Sequence, residues 1–333
     1  MNVKDLGELA LIEHLTNLIA QRRGDQSESL GHKLIIDISD DAAAWTNPKT
    51  TSLATTDTIV EGVHFTRDTS SWEDLGWKVM AANVSDIASM GGLPVYALIT
   101  LGIPDETRLA DLESLYKSML DMAQEYKFKV VGGDIVKSPY VFITVSLIGA
   151  TDYYPMNRSS AKFGDQIGIT GFVGSSLAGL KIVSGEIKAH TQMSSKFKEA
   201  HLRPRPHLIQ GRILSNAGVL SAMDISDGLV TDLSKLCKSS RVSAQIKAHQ
   251  LPIDPILKNL FPKEYIEMGL IGGEDYPILF TATPEIMHSV LPKLPCPASI
   301  IGEILDGNPG NVTIKDQTGK NITPPHGGWD HFS

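Results

Sequence analysis

Short apolar runs that stop at small and acidic residues, alternating with stretches of helical periodicity, are the feature that most constrains this chain. Leu34-Ile-Ile-Asp-Ile38 reads as a strand running into Ser39-Asp40-Asp41, and Ser52-Leu-Ala-Thr-Thr56 as a second strand ending at Asp57. Leu11, Leu15 and Leu18 put a helix over Glu8 to Arg22, and a second helix spans Trp72 to Met90 and is ended by Gly91-Gly92. A strand over Tyr96 to Gly102 and a helix over Leu109 to Tyr126 follow. Phe128 to Val131 is then a strand stopped by Gly132-Gly133-Asp134, and Val141 to Gly149 alternates as a strand should. Past the polar, turn-rich stretch Thr151 to Ser160, the rhythm resumes. Strands fall at Gln166 to Thr170, Ala222 to Ile225, Ala244 to Ile246, Tyr276 to Thr281 and Ala298 to Gly302, with a helix over Leu177 to Ser184. Lys188 to Lys198 is polar and expected to be exposed. The expected fold class is α/β with mixed α+β sheets, in two domains over residues 1–150 and 151–333.

Composition removes several alternatives. Acidic residues number 38 and basic residues 30, for a net charge of −8, and no basic run exists, so a nucleic-acid partner is not expected. The two cysteines, Cys237 and Cys296, lie far apart, which excludes a disulfide scaffold and a zinc ribbon. No apolar run is long enough to span a membrane, and Glu8 and Glu13 interrupt any signal-peptide core, so no membrane association and a cytoplasmic location are expected.

The carboxylates cluster at strand ends and beside small residues: Asp40-Asp41, Asp57, Asp86 within Asn83-Val-Ser-Asp86, Asp134, and Asp224 and Asp227 within Asp224-Ile-Ser-Asp-Gly228. One such Asp is ordinarily a helix cap or an Asx turn. Recurrence at five corners is a different matter, because converging carboxylates repel unless a cation offsets them. Hard oxygen donors suit Mg²⁺, and Thr55 and Thr56 add hydroxyls, a pattern that fits Mg-nucleotide phosphoryl transfer. The usual phosphate motifs are absent. Gly319-Lys320 is followed by Asn321 and lacks the upstream glycine of a P-loop, and there is no His-Arg-Asp kinase loop. Gly168-x-x-Gly171-x-x-Gly174 reads equally as a phosphate cradle or a tight turn.

Taken in order, the motifs resemble the thiamine-monophosphate kinase family, of the superfamily that includes aminoimidazole ribonucleotide synthetase and selenophosphate synthetase. They run nearly end to end: Gly7-Glu8-Leu-Ala-Leu-Ile12, Ser39-Asp40-Asp41-Ala42, Thr55-Thr-Asp-Thr-Ile-Val-Glu-Gly-Val-His-Phe65, Asn83-Val-Ser-Asp-Ile-Ala-Ser-Met-Gly91, Gly132-Gly-Asp134, Arg158 before Gly164-Asp165, Leu202-Arg-Pro-Arg-Pro206, Asp224-Ile-Ser-Asp-Gly-Leu229, Gly272-Gly-Glu-Asp-Tyr276 and Gly328-Trp-Asp-His-Phe332. The resemblance implies an aminoimidazole ribonucleotide synthetase-like architecture. It implies transfer of the ATP γ-phosphoryl group to thiamine monophosphate with several Mg²⁺ ions, the last step of thiamine diphosphate biosynthesis. It also implies a homodimer built through the N-terminal, ATP- and Mg-binding domain, with the C-terminal domain completing the substrate cleft. Carried over by position, the metal ligands are Asp41, Thr55, Thr56, Asp57, Asp86, Asp134, Asp224 and Asp227. ATP falls to Tyr116, Gly133, Asp134, Arg158 and Ser226, and thiamine monophosphate to His64, Glu274 and Trp329. Asp57, Asp134 and Arg158 are the expected catalytic set.

Two positions depart from the family pattern: Ser39 stands where a glycine usual to the family precedes the first acidic pair, and Ser176 where an acid is common. Two other readings stand beside this one. The first is an ATP-dependent synthetase of the same superfamily; the selenophosphate type is disfavoured because no Cys precedes Cys237. The second is a cation-binding module without turnover.

Overall fold

The computed structural model describes residues 2–6, 8–23, 31–36, 43–187, 192–323 and 328. The chain divides into two units. Unit 1 comprises Met1–Ile87 and Leu93–Asp152, and unit 2 comprises Ala88–Gly92 and Tyr153–Ser333. No helix among the described residues is long and apolar enough to cross a membrane.

Unit 1 opens with helices α1 (Val3–Leu6) and α2 (Glu8–Arg23) and a small antiparallel pair, β1 (Lys33–Ile36) with β2 (Ala44–Thr46). Then come β3 (Thr51–Val60), α3 (Trp72–Ser89), β4 (Leu93–Ile103), α4 (Leu109–Glu125), β5 (Lys129–Lys137) and β6 (Phe142–Thr151). The sheet order is β3-β6-β4-β5, antiparallel except for the parallel pair β4 and β5. A capping box starts α3. The Asp74 amide donates to Ser71 Oγ at 3.1 Å, and the Ser71 amide and hydroxyl donate back to the Asp74 carboxylate. The helix then buries Leu75, Val79 and Val84 completely, as α4 buries Leu112, Leu115 and Met119 and β6 buries Ile143, Val145 and Leu147. Each such side chain contributes about 1.5–3 kcal/mol by leaving water. Gly76 lets α3 and α4 approach closely, since a Cβ there would lie 2.3 Å from the Leu115 carbonyl oxygen.

Unit 2 contains β7 (Gln166–Thr170), α5 (Ser175–Val183), α6 (Gln192–Leu202), α7 (Leu208–Asn216), β8 (Ser221–Asp224), α8 (Leu229–Ser240), β9 (Ser243–Lys247), α9 (Pro255–Leu260), α10 (Tyr265–Ile271), β10 (Ile278–Ala282), α11 (Pro284–Val290), β11 (Ala298–Leu305), β12 (Val312–Lys315) and β13 (Asn321–Ile322). Its sheet runs β13-β12-β9-β11-β7-β10-β8, with β12 and β9 the parallel pair. Its core gathers Ile167, Ile169, Leu229, Leu233, Leu236, Leu279 and Ile301. The two units together are the mixed α/β architecture expected from the sequence.

Three local expectations are corrected. β3 does not end at Asp57 but continues to Val60, because Thr58 and Ile59 extend its β-branched run. β5 does not stop at Gly132 but carries Gly132, Gly133 and Asp134 inside the strand. Gly133 is there for close approach rather than for a turn: a Cβ on it would lie 1.9 Å from the Ile99 carbonyl oxygen of β4. Finally, much of the polar stretch Lys188 to Lys198 is helical and not simply exposed. In α6, Ser194, Phe197 and His201 recur at helical spacing and are all buried, a face that polar side chains disguise in the sequence.

Candidate functional site

In unit 1 the period of two along β3 decides which side chains can act together. Thr55 and Asp57 share one face with buried Leu53 and Ile59. The Thr55 hydroxyl donates to Asp86 Oδ2 at 2.5 Å, so α3 brings Asp86 to β3 from within a helix and not from a strand end. Thr56 faces the other way and spends its hydroxyl on the sheet, against the Val145 carbonyl at 3.1 Å and Ser146 Oγ at 3.2 Å. By register Asp134 stands in the row Thr58, Thr144, Thr100, whereas Asp57 stands in the row Val145, Ile99, Gly133. Asp134 therefore lies on the opposite face from Asp57, and its Oδ1 accepts the Ile135 amide at 2.9 Å.

His64 lies in the turn after β3, where its Nδ1 accepts the Val60 amide at 3.1 Å and its own amide donates to the Val60 carbonyl at 2.9 Å. Tyr116 is only 4% exposed on the buried face of α4, and burial pushes its hydroxyl well above the usual tyrosine range. Asp41 and Trp329 lie outside the described residues.

In unit 2, Asp224, Ser226 and Asp227 lie on one turn, to which Glu274 is bonded. Asp224 closes β8 and is 2% exposed. The chain then turns through Ser226, Asp227 and Gly228, whose amides all donate to Asp232 Oδ2, at 3.0, 2.9 and 3.2 Å. Asp232 is fully buried in the first turn of α8. Burial pushes its carboxyl up, against the pull of Lys235 and the backbone amides. Lys235 Nζ bonds both Asp227 Oδ2 and Asp232 Oδ1, the latter at 3.0 Å. Burial works against the ammonium, but its bonds to Asp227 and Asp232 prevail and raise its pKa.

Neighbouring segments seat on this turn through glycines. The Glu274 amide donates to the Ser226 carbonyl at 2.8 Å, and a Cβ on Gly273 would lie 2.4 Å from that same oxygen. On another side, the Gly328 amide donates to Thr231 Oγ1 at 2.8 Å, and a Cβ on Gly328 would lie 1.9 Å from the Asp227 carbonyl. Glu274 and Tyr276 hold left-handed φ of 60° and 55°, which places Asp275 between two strained residues. Glu274 Oε2 lies 3.5 Å from His201 Nδ1, which also meets Ser176 Oγ at 3.1 Å. Arg158 is exposed beside an Asn157-centred turn, and its carbonyl accepts the Ser240 hydroxyl at 2.8 Å.

Family models for the AIR synthase related protein match residues 39–151 (N-terminal domain) and 164–315 (C-terminal domain). Thiamine-monophosphate kinase of Aquifex aeolicus is 34% identical over 335 residues, covering 100% of both chains. That of Bacillus subtilis is 33% identical over 89% of this chain and 93% of its own. Among solved structures, AaThiL complexed with AMPPCP and TMP is similar at TM-score 0.77 and 33% identity, covering 100% of this chain and 99% of that one.

The chain belongs to the thiamine-monophosphate kinase family.

Among the described residues no group of three or more His, Cys, Asp or Glu is gathered to hold a metal. Mg²⁺ does not require one, since it keeps several waters and is ordinarily held by one or two carboxylates together with substrate phosphates. Thr55 with Asp86 and Asp224 with Asp227 are all-oxygen donors of that kind, so the residues present fit a hard cation. The glycine-rich block of the family, by contrast, is no phosphate cradle here. The Gly174 and Ser176 amides at the start of α5 donate to the Asp275 carboxylate at 2.6 and 2.7 Å. Burial pushes that carboxyl up to about 7, against the pull of these amides.

Asp232, Lys235, Asp275 and His201 escape the sequence reading. Asp232 left one faint signal, an acid in the first turn of the helix that follows Asp227-Gly228.

Proposed function

We propose that this chain transfers the γ-phosphoryl group of ATP to thiamine monophosphate, giving thiamine diphosphate and ADP. The observation that carries this is the end-to-end similarity, at 33% identity, to a structure holding AMPPCP and TMP. The acceptor is a phosphate monoester whose second pKa is about 6, so at neutral pH it is already largely a dianion and needs no general base. That accords with the oxygen-only chemistry of Thr55, Asp86, Asp224 and Asp227, which suits a hard cation.

Thr55, Asp57 and Asp86 from unit 1, and Asp224 and Asp227 from unit 2, are the residues that would hold Mg²⁺, with Asp41 and Asp134 as further carboxylates. When bound, such a cation would neutralise charge on the transferred group. Ser226 and Arg158 would orient ATP. Glu274, held by the Ser226 carbonyl and close to His201, would meet the cationic thiamine moiety together with His64 and Trp329. The work of the protein is positioning and exclusion of stray water rather than proton transfer.

The same reading includes a cytoplasmic homodimer joined through unit 1. Supporting it, the sheet face opposite α3 exposes Leu98 and Val136, at 41% and 39%, beside Thr58 and Thr144. An assay of ADP release with thiamine monophosphate, thiamine and aminoimidazole-type precursors as alternative acceptors tests the proposal. Release with thiamine monophosphate alone is expected, and release only with a different acceptor would overturn it.

A further inference from the structure

In the turn that carries Ser226 and Asp227, the Asp227 carboxylate already has a counter-ion without any divalent cation. Asp227 Oδ2 is in contact with the Lys235 ammonium, which also reaches Asp232 Oδ1 at 3.0 Å. The other oxygen of Asp232 is fixed by three backbone amides, so this carboxylate cannot turn away from its place. Its side chain is fully buried, whereas those of Lys235 and Asp227 are 42% and 29% exposed. One end of the arrangement is therefore rigid and the other opens to solvent. Lysine, a compact charge on a flexible stem, can leave such a position without rebuilding the backbone, which an arginine fork holds more firmly.

We infer that Lys235, anchored by Asp232, is a resident counter-cation for Asp227: it holds the turn in its working shape before the divalent cation arrives and gives way when it does. The inference rests on the reading of Asp227 as a cation ligand. Two consequences follow with opposite signs. Lys235 competes for the oxygen that a divalent cation would use, so removing it should tighten cation binding. It also screens Asp227 from Asp232, so removing it should weaken the cation-free fold. A residue of merely structural importance would not tighten binding of anything.

The test is titration of the full chain with Mn²⁺ alone, free Mn²⁺ being read by electron paramagnetic resonance, with melting measured alongside. Lys235→Met should bind Mn²⁺ about fivefold more tightly, the scale of one exposed ion pair. In EDTA it should melt about 2–4 °C lower, and that deficit should vanish at saturating Mn²⁺. Lys235→Arg should bind Mn²⁺ as the unaltered chain does or more weakly. Mn²⁺ binding by Lys235→Met that is unchanged or weaker overturns the inference, provided that Asp227→Asn does reduce binding. Binding that Asp227→Asn leaves unchanged, or no Mn²⁺ uptake at all, overturns the assignment of Asp227 and the inference with it.

Discussion

Unit 1 presents Thr55 and Asp57 from a regular strand, whereas unit 2 presents Ser226 and Asp227 from an irregular turn between β8 and α8. In β3 the pleat alone sends alternate side chains to one face, and ladder bonds to β6 hold them there. Nothing extra is required except Asp86, delivered by the capped and buried α3. The turn in unit 2 has no ladder. Its amides are satisfied by one buried carboxylate, its exposed charge is met by one lysine, and its flanks are glycines that admit the backbone of neighbouring segments. A site built on regular structure takes its geometry from the fold. A site built on a turn must carry its own internal supports, and those become points where one substitution undoes many contacts.

The largest expected effect falls on such a support. Asp232→Ala leaves three amides without their acceptor and Lys235 with Asp227 alone, and should destabilise unit 2 by about 3 kcal/mol. Thr55→Ala removes one hydroxyl in unit 1 and should destabilise by about 1 kcal/mol or less. Chemical denaturation of both variants measures the contrast, and equal losses would erase it.

Activity should not respect this difference. Asp57→Asn and Asp227→Asn are each expected to lower kcat/KM at least about 100-fold, roughly 2.7 kcal/mol of transition-state stabilisation. Steady-state kinetics with excess Mg²⁺ and ATP gives the comparison. A large loss in only one variant would mean that only one unit works on the reacting groups.

A smaller effect sharpens the picture of unit 2 as the region that depends on particular buried polar groups. His207 Nδ1 and Thr170 Oγ1 share a hydrogen bond at 2.6 Å, and the Ile278 amide donates to the same hydroxyl at 2.8 Å. Burial lowers its pKa to about 4. A depressed histidine favours the fold while neutral, so its contribution is complete above the unfolded value near 6.5 and is lost progressively as pH falls from there to about 4. Between pH 7 and 5 the loss is about 2 kcal/mol. His207→Asn, which keeps an acceptor and cannot ionise, should flatten that part of the stability profile. An unchanged profile would show that acid sensitivity arises elsewhere.

How much of this was legible in the sequence follows the same division. The strands and helices of unit 1 announce themselves by periodicity, and β7 falls at Gln166–Thr170 as the pattern predicts. Local reading failed where glycine had a second use. Gly132-Gly133 looks like a stop and is a close strand contact, which moved Asp134 from a strand end into a strand. It failed again where polar residues faced inward, as Ser194 and His201 do in α6. The pattern carried no mark that Thr55 and Thr56 face opposite ways, a fact of the pleat once β3 is known to run straight through both. Asp232 and Lys235 were hidden because a buried acid three residues before a lysine on a helix looks like any surface ion pair.

The central claim is that the terminal phosphoryl group of ATP passes directly to the phosphate of thiamine monophosphate. The most direct test is to supply ATP radiolabelled only at the γ-phosphorus, with unlabelled thiamine monophosphate and Mg²⁺, and to follow the label by chromatography of the products. The expected result is that the label moves into the β-phosphorus of thiamine diphosphate, in step with ADP. Label recovered only as inorganic phosphate, with thiamine monophosphate unconsumed, would contradict the account.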